Sequence, residues 1–395
     1  MSWPRGHLSV PSSAVALALA ALVLAGCGAG ASGRRAAAVG SGAQPVTGVS
    51  FDTSGWRTHF GLHAVPLSTI SSGGPGRDGI PPLDHPRFVS AVSAAHFLIA
   101  REPVIAVAVG GQARAYPVQI LLWHEIVNDT LAGEPVAVTY CPLCNTAIVY
   151  SRAVGHRLLT FGTTGNLRNS DLVMWDRQTQ SWWQQYDGHA IVGALTGAKL
   201  TPLSSATISF ADFRARYPQG TVLSRDTGFD LPYGKNPYVE YDAAGERPFL
   251  YSGRIDPRLQ ALERVESITV GTATVVLPFR ALRGHPAPAV SVGGVPAVVL
   301  FDANVSSPLD ARVTRDSRVV GTAAAFDRRL GGRTLTFASA GPGIVTDRET
   351  GSRWDITGRA IAGHLLGAQL RRLHDLQAFW FAVAAFVPHA RLAGP

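Results

Sequence analysis

The chain has 395 residues, with 35 Lys and Arg against 27 Asp and Glu, for a formal net charge of +8. That excess does not describe a nucleic-acid surface: Lys199 and Lys235 are the only lysines, and the arginines never gather into a basic stripe with interleaved aromatics. Three cysteines are too few for a disulfide framework, and beyond the N-terminal segment no apolar run is long enough to span a bilayer, Ala378 to Val387 included.

The N-terminal segment reads as targeting. Arg5 opens it, Ala14 to Leu24 is apolar but short, and Leu24-Ala25-Gly26-Cys27 follows. This pattern resembles the lipobox of bacterial lipoproteins. The resemblance implies a signal peptide over residues 1–26, cleavage before Cys27 and lipid on its sulfur; the alternative is an ordinary secretory signal. Gly28 to Gly48 is rich in Gly, Ala and Ser, so residues 27–71 are expected to form a flexible tether to the membrane. Cys141 and Cys144 then lie outside the cytoplasm, where disulfides persist.

Ser72 to Pro86 is irregular and Gly/Pro-rich. Val104 to Val109 predicts a strand, Gly110-Gly111 a turn, and Ala113 to Tyr116 a second strand. Pro117 suits a helix start, and Ile120, Leu121, Trp123, Ile126 and Val127 give helical spacing through Asp129. Val136 to Tyr140 and Ala147 to Tyr150 predict strands, which places Cys141-Pro142-Leu143-Cys144 on a tight connection between them. Leu158 to Phe161 predicts another strand, and Gly162 and Gly165 mark turns. Pro218 to Tyr241, dense in Gly, Pro and Tyr, predicts a linking segment.

Two stretches of the chain echo one another. Asp176-Arg177-Gln178-Thr179-Gln180-Ser181-Trp182-Trp183 returns as Asp347-Arg348-Glu349-Thr350-Gly351-Ser352-Arg353-Trp354, and Gly188 to Leu200 returns as Gly358 to Leu370. Such self-similarity argues for an internally duplicated, strand-dominated unit with short helices, in a β-rich α+β fold. The expected organisation is a first repeat over 72–215, a linking segment over 216–264 and a second repeat over 265–390. What both copies keep is scaffold: an Asp–Arg pair, hydroxyls satisfying turns and a Trp in the core. What only the first keeps is a candidate for chemistry.

Cys141-x-x-Cys144 is the sharpest such feature. Its spacing fits a shared metal, a reactive dithiol or a passive disulfide, with the metal slightly ahead. A strand–turn–strand setting lacks the helix N-terminus that usually activates a dithiol. A structural zinc needs about four ligands, and no second Cys-x-x-Cys exists, so the others would come from His, Asp, Glu or Met. Asp302 and Val305 stand at the corresponding places in the second copy. His124-Glu125-x-x-Asn128 lacks the second histidine of a zinc helix. On a helix Glu125 would stack over Asp129, and such a carboxylate pair suits acid–base work, which makes Glu125 the candidate catalytic residue. Met174 and His189 are replaced by Val345 and Arg359, so both join His124 as candidate ligands, Met174 being suited to a soft metal. The metals compatible with these types are copper, zinc and iron.

Ala113 to Pro117, Trp123 to Asp129, Thr139 to Cys144 and Met174 to Gln185 resemble the bacterial and archaeal family catalogued as domain of unknown function 3179, as do Asp78 to Pro81 and Tyr233 to Tyr238. The resemblance spans about Asp78 to Pro388 and implies an extracytoplasmic setting but no activity. Asn145 stands where the family pattern carries Gly. The leading expectation is a membrane-tethered lipoprotein, held by lipid on Cys27, whose Cys-x-x-Cys site binds a transition metal for metal handling or a redox step. The alternatives are a metal-free thiol–disulfide protein and a non-catalytic cell-envelope module binding a glycan or protein. No nucleic-acid partner is expected.

Overall fold

The computed structural model describes residues 48–243 and 245–393. Strands dominate, with short helices between them, as a β-rich α+β fold requires. Among the described residues no helix is long and apolar enough to cross a membrane. The expected signal peptide and Cys27 lie outside the described residues.

The first half is built from three larger sheets and a two-stranded ribbon of Ala153–Val154 with Arg157–Leu158. One runs Ser205–Ser209, Pro103–Val109, Gln112–Pro117, Thr221–Leu223 and Phe88–Ser90 in spatial order. A second runs Pro202–Leu203, Thr146–Ser151, Glu134–Cys141 and Ile126–Leu131. The third runs Ile70–Ser72, Phe161–Arg168, Asp171–Asp176, Trp182–Gln184 and Ala190–Val192. In the second half Arg264–Val270, Ala273–Pro278, the helix Phe279–Gly284, Val295–Asp302 and Thr322–Asp327 follow in the order of Pro103–Val109, Gln112–Pro117, the helix Val118–His124, Glu134–Cys141 and Thr146–Ser151.

Two boundaries differ from expectation. Thr221–Leu223 pairs in parallel with Arg114 and Ala115 and antiparallel with Phe88–Ser90, so the first half reaches Leu223 instead of ending at 215. The expected tether over 27–71 is not a tether from residue 48 onward. Phe51, Trp56 and Phe60 surround Trp182 with ring centroids 5.1, 5.0 and 5.2 Å away, and Ile70–Ser72 pairs with Phe161–Arg168. Burying that much aromatic surface outweighs the ordering entropy of the segment.

Gly162 and Gly165 are not turn residues either. They lie inside Phe161–Arg168, where the segment around Pro75 crosses the strand so closely that a Cβ on Gly165 would sit 1.8 Å from the Pro75 carbonyl oxygen. Gly165 is also at φ 76°, where the absence of a Cβ is the natural solution.

The echoed Asp-Arg-x-Thr-x-Ser-x-Trp unit is a scaffold device in both places. Asp176 accepts from the Thr179 N–H and hydroxyl, and its Oδ2 accepts from Trp183 Nε1 at 2.9 Å. Asp347 does the same with Thr350 and with Trp354 Nε1, also at 2.9 Å. The expected Asp–Arg pair is absent within the unit, because Arg177 reaches instead to Asp84 at 2.7 Å.

Candidate metal centre

The cysteines sit where the strand pattern puts them. Glu134–Cys141 and Thr146–Ser151 are antiparallel neighbours with Cys141 opposite Thr146, and residues 142–145 make the turn. Asn145 closes that turn at φ 53°, a conformation favoured by Gly and next by Asn, which accounts for its departure from the family pattern. Its Oδ1 also accepts from the Tyr140 hydroxyl at 3.0 Å.

A hairpin delivers the third member. Asn169 and Ser170, at φ 53° and 60°, form the two-residue turn between Phe161–Arg168 and Asp171–Asp176, and positive φ at both centres matches the twist of the flanking strands. This turn points the Ser170 carbonyl oxygen at the thiols, 3.5 Å from Cys144 Sγ. It also places Asp171 so that one ligand atom each from Cys141, Cys144 and Asp171 lies within 4.8 Å of the others. Both cysteines are free thiols. Asp171 Oδ2 accepts from Gln184 Nε2 at 2.6 Å and from the Tyr186 N–H at 2.9 Å. Asp171 Oδ1 is buried with no hydrogen-bond partner, which a fold normally avoids unless something else satisfies the atom.

Glu125 approaches from a third direction. The helix Val118–His124 ends at Glu125, which takes φ 56° and donates its N–H to Leu121 O at 2.8 Å. Its carbonyl accepts from the Tyr140 N–H at 2.8 Å, fixing it beside Cys141. Burial pushes the Glu125 carboxyl up to about 8, with Asp171 adding to the rise and the Tyr238 hydroxyl opposing it. Burial likewise lifts Asp171 to about 7 and raises both thiols, Cys144 further than Cys141.

The helical expectation for His124 to Asp129 is therefore corrected. The chain turns at Glu125 and continues as the strand Ile126–Leu131, so His124 and Asn128 share no helix face and Glu125 does not stack over Asp129. Asn128 bonds the Phe161 backbone through both side-chain ends and also Asp84, while Asp129 accepts from Arg114 and from the Tyr116 hydroxyl at 2.6 Å. These are structural roles.

The other candidates are dispersed. Both ring nitrogens of His124 are engaged: Nδ1 with Pro81 O at 2.6 Å and Nε2 with the Tyr233 hydroxyl at 2.5 Å. Pro81 O can only accept, so Nδ1 carries the proton and Nε2 accepts, leaving no free lone pair. Met174 lies three residues along its strand from Asp171, hence on the opposite face, in the core between Thr163 and Trp183. His189 is 43% exposed beside Asp187 at the surface.

Sequence reasoning missed Asp171, although a signal for it exists. Counting back from Asp176 and Asp347, Asp171 falls opposite Pro342, so the half-against-half comparison that flags the cysteines flags it too. It also missed the cover. Tyr241 donates its hydroxyl to Leu143 O at 3.1 Å, the Ser170 hydroxyl donates to Phe249 O at 2.5 Å, and the Phe379 N–H bonds Cys144 O at 2.8 Å. Tyr186 stacks on Phe386 at 4.3 Å. Cys141 and Cys144 are left 1% and 0% exposed, so the centre is enclosed by the first half, the linking segment and the end of the chain.

A family model described as "Protein of unknown function (DUF3179)" matches residues 77–390. The chain belongs to that family. No curated protein and no solved structure matches it. Family membership supplies no activity, so function rests on the centre itself.

Proposed function

We propose that this is a membrane-tethered extracytoplasmic protein whose Cys141–Cys144–Asp171 centre holds a transition metal. The observation that carries this reading is the unpartnered, fully buried Asp171 Oδ1 beside two free thiols. A divalent metal would satisfy that oxygen and take both sulfurs as thiolates. Glu125 is an electrostatic neighbour of Asp171 and Cys141 but lies outside the 4.8 Å cluster, so it would have to move inward to complete a set of about four ligands. Two sulfurs with carboxylate oxygen suit zinc or iron better than copper(I), which prefers wholly soft donors. The ligand set belongs to the first half alone: in the second half Asp302 stands for Cys141 and Pro342 for Asp171, and residues 303–321 replace the tight Cys-x-x-Cys turn. We read the shared element order and the paired Asp–Thr–Trp units as an internal duplication in which one copy kept the centre.

Elemental analysis of protein purified from the cell envelope tests the metal. The expected result is one metal per chain, lost in Cys141→Ser and strongly reduced in Asp171→Asn, with the fold retained. Metal-free native protein with two titratable thiols would overturn it. The thiol–disulfide alternative has one supporting observation, the closeness of the two sulfurs; burial raises both thiols, which disfavours a free reactive thiolate, whereas a bound cation would supply the charge that offsets the burial.

A further inference from the structure

The second half buries an acid where the first half has none. In Pro103–Val109, Val104 is paired with Pro117 and the next residue is Ile105; in Arg264–Val270, Val265 is paired with Pro278 and the next residue is Glu266. Glu266 is 0% exposed, and neither of its carboxyl oxygens accepts a hydrogen bond. It shares a strand face with Ile268 and lies opposite Leu277, so it points into the apolar layer that Val299, Ala323 and Ala325 complete from the facing sheet.

The strand His374–Phe379 supplies the neighbour that matters. Glu266 is paired with Gln377 and Ile268 with Asp375, which makes Asp375 the diagonal neighbour of Glu266 on the same face. Gln377 directs its amide N–H groups elsewhere, to the Thr322 hydroxyl at 2.7 Å and to Ala323 O at 2.9 Å. Asp375 is already satisfied as a carboxylate: Arg372 grips it with Nε on Oδ1 at 2.9 Å and Nη2 on Oδ2 at 3.0 Å, and the Ala325 N–H donates to Oδ2 at 2.8 Å. Among the described residues the titratable and charged groups around Glu266 are Asp375, Arg372 and, beyond Arg372, Tyr217. Two carboxyl groups therefore face one guanidinium, and Asp375 holds it. A second carboxylate would be an uncompensated charge in an apolar layer, and a proton removes it. As a carboxylic acid Glu266 donates its O–H to Asp375. Burial first, and Asp375 next, raise Glu266 well above its ordinary value, with Arg372 opposing. Arg372 and Tyr217 line a cleft of about 250 Å³, so solvent comes within one residue of the pair.

We propose that Glu266 is a proton latch on the strand that closes the thiol centre. Protonated, it ties Arg264–Val270 to Asp375. Deprotonated at alkaline pH, it repels Asp375 and loosens His374–Phe379, whose last residue holds the thiol turn through its N–H bond to Cys144 O. An opened chain releases this proton above about pH 4.3, the ordinary glutamate value, whereas the closed chain keeps it, so closure weakens as pH rises. Hydrogen exchange of the full chain, read by mass spectrometry on the peptide covering 374–381, tests the latch. E266Q and E266I are measured alongside, so that the intrinsic pH dependence of exchange cancels. Gln keeps a donor toward Asp375 and Ile is the residue of the first half, so each variant removes the proton and suits the site. Between about pH 6 and about pH 9 the exchange rate of the unsubstituted protein, divided by that of either variant, should rise by up to about tenfold per pH unit. The same ratio for a peptide from Pro103–Val109 should stay flat. Cys141→Ser should leave the rise intact, which separates the latch from the metal centre. A ratio for 374–381 that does not change with pH, or that changes no more than the ratio for Pro103–Val109, overturns the latch.

Discussion

The backbone N–H of Phe379 donates to the carbonyl oxygen of Cys144 at 2.8 Å, so the strand that closes the second half ends on the turn that carries the thiols of the first. The Phe379 ring lies between Tyr241, 6.1 Å away, and the Arg264 guanidinium at 5.3 Å, and is fully buried. Phe379→Ala should destabilise the fold by about 3–5 kcal/mol through the cavity it leaves. It should also speed reaction of Cys144 with a maleimide under native conditions. A melting curve and a labelling time course check both, and unchanged labelling would mean that the ring does not gate access.

The matching Asp–Trp units predict matching costs. Trp183→Phe and Trp354→Phe each leave a buried carboxylate oxygen short of one donor, and each should cost about 1–3 kcal/mol in denaturant unfolding. Trp354→Phe should leave the metal content untouched. Loss of metal in that variant would place chemistry in the second half.

Asn145 is held at φ 53°. Asn145→Gly removes backbone strain but loses the bond to Tyr140, and should be close to neutral. Asn145→Ala keeps the strain, loses the bond, and should cost about 1–2 kcal/mol. Equal stability of the two variants would show that the turn relaxes.

Burial lowers His124 from 6.5 to about 4, with its bond to Pro81 O working the other way. A folded-state value below the unfolded one means that the unfolded chain binds the proton more readily. Stability should therefore be unaffected by His124 above about pH 6.5 and fall as pH drops toward 4, by about 3 kcal/mol in total. His124→Gln should flatten that part of the pH–stability curve even though it lowers stability at neutral pH. An unchanged slope in the variant would show that the imidazole is solvated.

Several features were legible in the sequence because they are local. The β-branched runs on either side of Cys141-Pro142-Leu143-Cys144 dictate a strand–turn–strand, and the chain folds that way. The apolar run from Ala378 became the end of a strand and the buried helix Trp380–Phe386, in keeping with its shortness. The misreadings share one cause. Ile126 and Val127 fit helical spacing and strand alternation equally well over so few residues, and only pairing with Val138 and Thr139, together with the left-handed turn at Glu125, decides between them. Asp171 joins the cysteines, and Asp242 joins Arg264 and Arg318, through contacts far apart in the chain that no local pattern encodes. The residues from Phe51 to Ile70 look like an extension of a tether by composition, yet their aromatics are recruited by Trp182, more than a hundred positions away.

The cover formed by Tyr241, Phe249 and Phe379 has a consequence for the life of the protein. Those groups come from parts of the chain remote in sequence from the thiols and Asp171, and they close over the centre through the bonds to Leu143 O, from the Ser170 hydroxyl and to Cys144 O. A metal held by the thiols and Asp171 should then exchange with chelators only at the pace at which this cover opens locally.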